Sequence, residues 1–132
     1  MRVSVASRNT VLAAWTALLN GGSLLVEDGS RPATPETATS TQVLLVTLTF
    51  GATAFGTPSG ASVAANAIGS GTAAATGTAS WARARDSGGT PVADLTVGAS
   101  GSGADIEFGS VNFQANAQVS ISSFTISMPN GT

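Results

Sequence analysis

Residues 42–50 read Gln-Val-Leu-Leu-Val-Thr-Leu-Thr-Phe, a run without Gly, Pro or charge. Leu44, Val46, Leu48 and Phe50 occupy alternate positions, and Val43, Leu45, Thr47 and Thr49 lie between them. A period of two places the first set on one face of a β-strand and the second set on the other. The first face is expected to be core. The second is apolar at one end and Thr at the other, so it is expected to be partly covered.

Toward the N-terminus, Arg31-Pro32 to Ser40 is a Pro/Thr-rich loop. Pro32 and Pro35 remove ladder donors and favour extended backbone. Ser23 to Glu27 reads as a short strand closed by Asp28-Gly29. Further back, the pattern over residues 7–20 is helical. Val11, Leu12, Trp15, Leu18 and Leu19 share one face, Ser7 or Asn9 can cap the start, and Asn20-Gly21-Gly22 stops the helix. That face has either its own sheet or a neighbouring subunit to pack on.

Toward the C-terminus, Gly51 to Gly60 loops around the anchor Phe55, and Ser62 to Ile68 alternates weakly. Ala73 to Arg85 is Ala-rich, which favours helix by propensity. Gly77 and the Thr and Ser residues oppose this, so residues 77–85 are read as strand. Asp86-Ser87-Gly88-Gly89 is a hairpin turn and Pro91 to Val97 the returning strand, with Leu95 and Val97 inward. Gly98 to Gly103 reads as a flexible Gly/Ser loop. Ile106 and Phe108 share a face opposite Asp105 and Glu107, and Val111 and Phe113 follow. Val119 and Ile121 alternate at odd positions, but Phe124, Ile126 and Met128 at even ones. The phase change at Ser122-Ser123 predicts a β-bulge. A polar tail, residues 129–132, follows.

The expected architecture is a mainly β, antiparallel sandwich or barrel-like domain of seven to nine short strands with one N-terminal α-helix. One domain is expected over residues 1–132: an N-terminal arm at 1–8, a helix at 9–20, an extended loop at 28–42 and a β core at 43–128. A chain of 132 residues buries roughly two-thirds of the surface that its unfolded form exposes, enough for one core.

Composition narrows the chemistry. Only 9% of residues are charged and the net charge is −2, against about 25% charged in an average globular protein. Lys, His and Cys are absent. This removes disulfides, thiolate catalysis, Cys-type zinc sites and the commonest general base. A basic patch for nucleic acid is not expected. Residues 3–19 are interrupted by Arg8, Asn9 and Thr10, so neither a signal peptide nor a membrane span is expected. A surface poor in charge suits burial in an assembly.

Candidate chemical groups are sparse. Asp105 and Glu107 would share a strand face and so allow a carboxylate pair for acid/base work or Ca²⁺; the plainer alternative is a solvated strand face. Glu27-Asp28-Gly29 lacks the further oxygen ligands of a calcium loop. Gly69-Ser70-Gly71 and Gly101-Ser102-Gly103 do not continue into a phosphate loop. No serine has a His or Lys to activate it. Catalytic residues, cofactors and metal ligands are therefore expected to be none. Trp81, Arg83 and Arg85 share a strand face beside a turn. They form either a binding patch or a core Trp with two Arg reaching past it to solvent. If an Arg pairs with Asp86 or Asp94, an exposed pair is worth only about 0–1 kcal/mol. The candidate interface residues are Arg8, Trp15, Arg31, Trp81, Arg83 and Arg85.

Several strings carry a resemblance. They are Leu19-Asn20-Gly21-Gly22-Ser23-Leu24, Gly29-Ser30-Arg31-Pro32-Ala33-Thr34-Pro35, Leu44 to Phe50 with Ala54-Phe55-Gly56, and Ala65-Asn66-Ala67-Ile68. Ala75-Thr76-Gly77-Thr78-Ala79-Ser80-Trp81 and Arg83-Ala84-Arg85-Asp86-Ser87-Gly88-Gly89-Thr90 complete them. Over residues 7–128 the chain resembles a family of small, mostly uncharacterised proteins encoded in tailed phages and prophages. The resemblance implies a non-enzymatic virion structural protein, made in the host cytoplasm, with capsid decoration or cement as the first expectation. Its partners would be the major capsid protein and sister copies, with a homotrimer at lattice three-fold positions. No nucleic acid or membrane partner is expected. Alternatives are a tail, neck or fibre-base module and a host-surface or glycan-binding β module, the last requiring exposed aromatics. Residues 1–8 and 28–42, having no core of their own, are the segments expected to reach neighbours. Deleting residues 1–8 is expected to weaken assembly and leave the β fold intact.

Overall fold

Short alternating segments separated by Gly, Pro and Asn build mostly strands. In the computed structural model, which describes residues 1–129, a helix α1 (Val5–Ala17) precedes eleven strands. These are β1 (Ser23–Glu27), β2 (Leu44–Thr49), β3 (Ser62–Ala64), β4 (Gly71–Thr72), β5 (Gly77–Thr78) and β6 (Trp81–Arg85). Then come β7 (Pro91–Ala99), β8 (Ile106–Phe108), β9 (Asn112–Phe113), β10 (Gln118–Val119) and β11 (Ile121–Ser127). Of the expected tail, residues 130–132 lie outside the described residues.

A seven-stranded sheet runs β2-β1-β6-β7-β8-β11-β3, accompanied by the two-stranded sheets β10-β4 and β5-β9. The fold is mainly β and sandwich-like with one N-terminal helix. The small sheets press on β2. A Cβ added at Gly71 would lie 2.9 Å from Leu48 Cδ2 and 3.0 Å from Val46 Cγ2, and one at Gly77 would lie 2.9 Å from Leu45 Cδ2. Glycine at these two places lets the layers approach. Two aromatic groups fill the core elsewhere. Phe55 and Phe124 stand edge to face at 5.1 Å with Phe50 beside them, and Phe108 meets Phe113 at 5.2 Å.

The clearest strand carries an irregularity that its alternation conceals. Val26 pairs with Val46, but Glu27 pairs with Leu44, so Leu45 is the extra residue of a β-bulge. Leu45 turns fully inward while Leu44 is 39% exposed, the reverse of the expected faces at that end. Val46, Leu48 and Phe50 are buried as expected. The bulge expected at Ser122-Ser123 is present, as the β11–β8 register shifts between Ile121 and Ser123.

Residues 77–85 form two strands, because the ladder changes sheet at Ala79-Ser80. Ala79 N–H donates to Val111 O and Ser80 N–H to Glu27 O. The Asp86–Gly89 hairpin is present, with Gly89 at φ +86 and the Asp86 carboxylate accepting from the Gly88 and Thr90 amides. One pair in the main sheet is parallel: β7 and β8 run side by side from Val97↔Ile106 to Ala99↔Phe108. The Gly/Ser segment between them is a hydrogen-bonded reversal. Gly101 and Gly103 adopt positive φ, and the Glu107 carboxylate accepts both of their amides.

The helix begins four residues earlier than the expected 9–20 boundary. Ser4 caps it, its Oγ accepting from Ser7 N–H at 3.1 Å. Most of residues 1–8 is therefore helix and cap, and not a free arm. The buried line is Leu12, Thr16 and Leu19, whereas Val11 and Leu18 are exposed. Asn9 accepts from Ala61 N–H and Asn20 from Ala54 N–H, joining both helix ends to the loops around β3.

Candidate interaction surface

Backbone register fixes which side chains share the outer face of the main sheet. Leu25 pairs with Arg83 and Arg83 with Asp94, while Glu27 pairs with Trp81. Trp81, Arg83 and Arg85 therefore do lie together, as their spacing implied. Their surroundings differ from an open patch, since Trp81 and Arg83 are both only 2% exposed.

The cover is the segment from Asp28 to Val43. Arg83 binds Asp94 in a two-toothed pair, Nε to Oδ1 at 2.7 Å and Nη2 to Oδ2 at 3.0 Å. Its remaining donors reach two loop carbonyls, Nη1 to Thr37 O at 2.6 Å and Nη2 to Thr34 O at 3.3 Å. The guanidinium carbon stands 5.3 Å from the Trp81 ring centroid, within cation–π range. Trp81 Nε1–H donates to Asp28 O and Ser80 Oγ–H to Gly29 O. The segment expected to extend toward neighbours is instead docked on its own sheet. The value of an exposed ion pair does not apply to the Arg83–Asp94 pair, whose side chains are 3% and 5% exposed.

Electrostatics on this face follow burial and proximity. The hydrogen bond to Asp94 raises the Arg83 guanidinium pKa above its ordinary value, against the opposing effect of burial. Glu27 is 4% exposed. Its burial raises the carboxyl pKa above the ordinary range, opposed by the nearby charges of Arg83 and Arg85. Arg85 is half-buried, and its Nε has no hydrogen-bond partner among the described residues.

The other candidates lie elsewhere. Arg31 is exposed on the covering loop. Arg8 is half-buried, donating from Nε to Val3 O and from Nη1 to Met128 O. Trp15 is half-buried and lines an apolar groove of about 200 Å³ with Val11, Leu12, Ile126, Met128 and Pro129. The six residues thus divide between the outer sheet face with its covering loop (Trp81, Arg83, Arg85 and Arg31) and the helix (Arg8 and Trp15).

The acidic residues are largely occupied within the fold. The Asp105 carboxylate accepts from the Thr96 amide and hydroxyl, and Glu107 from Gly101 and Gly103. Asp28 accepts from Val43 N–H. These carboxylates satisfy backbone donors and do not converge. Among the described residues no group of three His, Cys, Asp or Glu is placed to hold a metal ion, and no helix is long and apolar enough to cross a membrane. All five Phe and Trp81 are buried.

Of the charged side chains, only Arg2, Arg31 and Glu36 are exposed. The exposed residues are otherwise mostly Ser, Thr, Gly, Ala and Asn, with Met1, Val5, Val11, Leu18, Val43 and Leu44 as exposed large apolar side chains. Sequence reading anticipated a surface poor in charge. It did not anticipate that one ion pair, Arg83 with Asp94, would lie beneath a loop. No known protein family, curated protein or solved structure matches the chain.

Proposed function

We propose that this chain is a non-enzymatic structural protein of a tailed-phage virion, a capsid decoration or cement protein that binds the major capsid protein and sister copies. The observation that carries the reading is a surface poor in charge, with three charged side chains exposed and seven half-buried. A freely soluble monomer ordinarily carries about 25–35% charged residues on its surface. Interface cores, by contrast, are depleted in charge.

The mechanism is interfacial: apolar points such as Val11, Leu18, Val43 and Leu44 are covered as copies and capsid subunits close around them. An obligate contact of this kind commonly buries above roughly 2,000 Å². The Asp28, Asp105 and Glu107 carboxylates each accept from backbone amides of their own fold. A glycan-binding reading needs an exposed aromatic platform, and the buried Phe side chains do not provide one.

The test is co-sedimentation of the purified protein with expanded capsids that lack it. Saturable binding at a fixed ratio to the major capsid protein is expected. Binding to isolated tails and not to heads would overturn the capsid assignment.

A further inference from the structure

The connection between β1 and β2 is far longer than their antiparallel pairing needs, since a hairpin closes with two to five residues. Its ends are pinned together. Asp28 N–H donates to Val43 O at 3.2 Å, and Val43 N–H donates to the Asp28 carboxylate at 2.6 Å. Residues 30–41 form a loop with a closed neck, carried outside the sheet. Within it, Pro32 and Pro35 are half-buried and every other residue is exposed. Nothing larger than Pro anchors it by apolar packing. Its tip is held by Arg83 through the carbonyls of Thr34 and Thr37.

Beneath this strap lies a fully formed receptor: the Arg83–Asp94 pair, the Trp81 ring and, by register, Leu25. The neck bonds, the Trp81–Asp28 bond and the sheet ladder are all independent of where the tip lies. Lifting the tip therefore leaves the sheet intact and frees two guanidinium donors aimed at backbone carbonyls.

We propose that the strap is exchangeable between copies of this chain. The Trp81–Arg83–Asp94 clamp holds residues 30–41 of its own chain in the dilute protein, and those of a second copy where copies are crowded. The guanidinium recognises main-chain carbonyls of an extended Thr/Pro segment, and a sister chain offers the identical segment. Exchange preserves every contact and changes only which chain supplies them, as in other swapped assemblies. Its balance is set by concentration, the tethered strap having an effective concentration on the order of millimolar. The crowding that would drive exchange in nature rests on the proposed virion role. The exchange itself is a property of the chain alone and is tested without capsids, so its failure leaves that role standing.

The experiment exploits the absence of Cys and the presence of only two Trp. An emitting copy carries Trp15→Phe, leaving Trp81 as its sole Trp. A silent copy carries Trp15→Phe, Trp81→Phe and Thr37→Cys, the thiol bearing a short-range fluorescence quencher. On mixing with a large excess of the silent copy, Trp81 emission is expected to fall by about half as the silent copy reaches millimolar concentration. The loss should disappear when the emitting copy carries Arg83→Met with Asp94→Leu. Unchanged emission, or equal quenching with and without the clamp, would overturn the proposal. An isotope-filtered NOE between Arg83 of a labelled copy and Thr37 of an unlabelled one repeats the test on the unmodified protein, where absence at millimolar concentration has the same meaning.

Discussion

Arg83 and Asp94 form the ion pair on which most of the outer face depends, because both side chains are nearly excluded from water. Removing one partner strands the other. Arg83→Met is expected to cost about 3–5 kcal/mol, and adding Asp94→Leu to recover more than half of it, since an apolar pair has no charge to desolvate. Urea unfolding of the two variants against wild type measures this. Glu27 behaves differently. Its burial raises the folded-state pKa above the ordinary 4.5, so the folded chain holds that proton more tightly than the unfolded chain. Stability from this group is greatest below the ordinary value and declines as pH rises through the folded-state value. Glu27→Gln is expected to be more stable than wild type near pH 7 and to match it below about pH 4, read as urea midpoints at the two pH values. That an Arg of this strand could pair with Asp86 or Asp94 was legible from the hairpin, though not which pair forms. The burial of Arg83 was not legible, because the cover comes from Thr37, 46 residues away in sequence.

Elements meet where side chains are missing. At Gly71 an added methyl would press on Val46 and Leu48 and on the Thr47 carbonyl at 3.0 Å. Gly71→Ala is expected to cost about 1–3 kcal/mol by overpacking. At Gly69 an added Cβ meets nothing within 4 Å, and Gly69→Ala should stay within about 0.5 kcal/mol of wild type. Thermal denaturation of the two variants separates layer contact from general glycine effects. The helix start supplies another expectation. Deleting residues 1–8 removes the Ser4 cap and the Arg8 bonds to Val3 and Met128. The deletion should lower stability by more than the roughly 1 kcal/mol of the cap alone, which circular dichroism on heating will read. It therefore perturbs the fold as well as any assembly. One bulge was legible and another, in β2, was not. At Ser122-Ser123 the apolar phase visibly shifts, whereas at Leu44-Leu45 two like residues hide it.

At the scale of the molecule, charge is sparse on the outside: three of the twelve charged side chains are exposed. Contacts made by such a surface carry little Coulomb energy, so raising salt has little to screen. Capsid binding is expected to change by less than about threefold between low and roughly physiological ionic strength, measured by co-sedimentation across a salt series. A steep fall would mean that Arg2, Arg31 or Glu36 carries the contact, contrary to the apolar-contact mechanism. The parallel β7–β8 pair belongs to this scale too. Its short reversal is held by the Asp105 and Glu107 carboxylates bonding to Thr96, Gly101 and Gly103, partners that composition alone does not assign.

By itself the sequence determined a mainly β chain with one leading helix, the Asp86–Gly89 hairpin, the late bulge, and an inventory lacking His, Cys and Lys. These follow from alternation, turn chemistry and composition, which are local properties. Long-range packing set the rest: Leu45 and not Leu44 turns inward, one strand pair is parallel, and Trp81 and Arg83 lie beneath residues 30–41. Burial is set by what covers a face, and here the covering segment is distant along the chain and carries no apolar signal of its own.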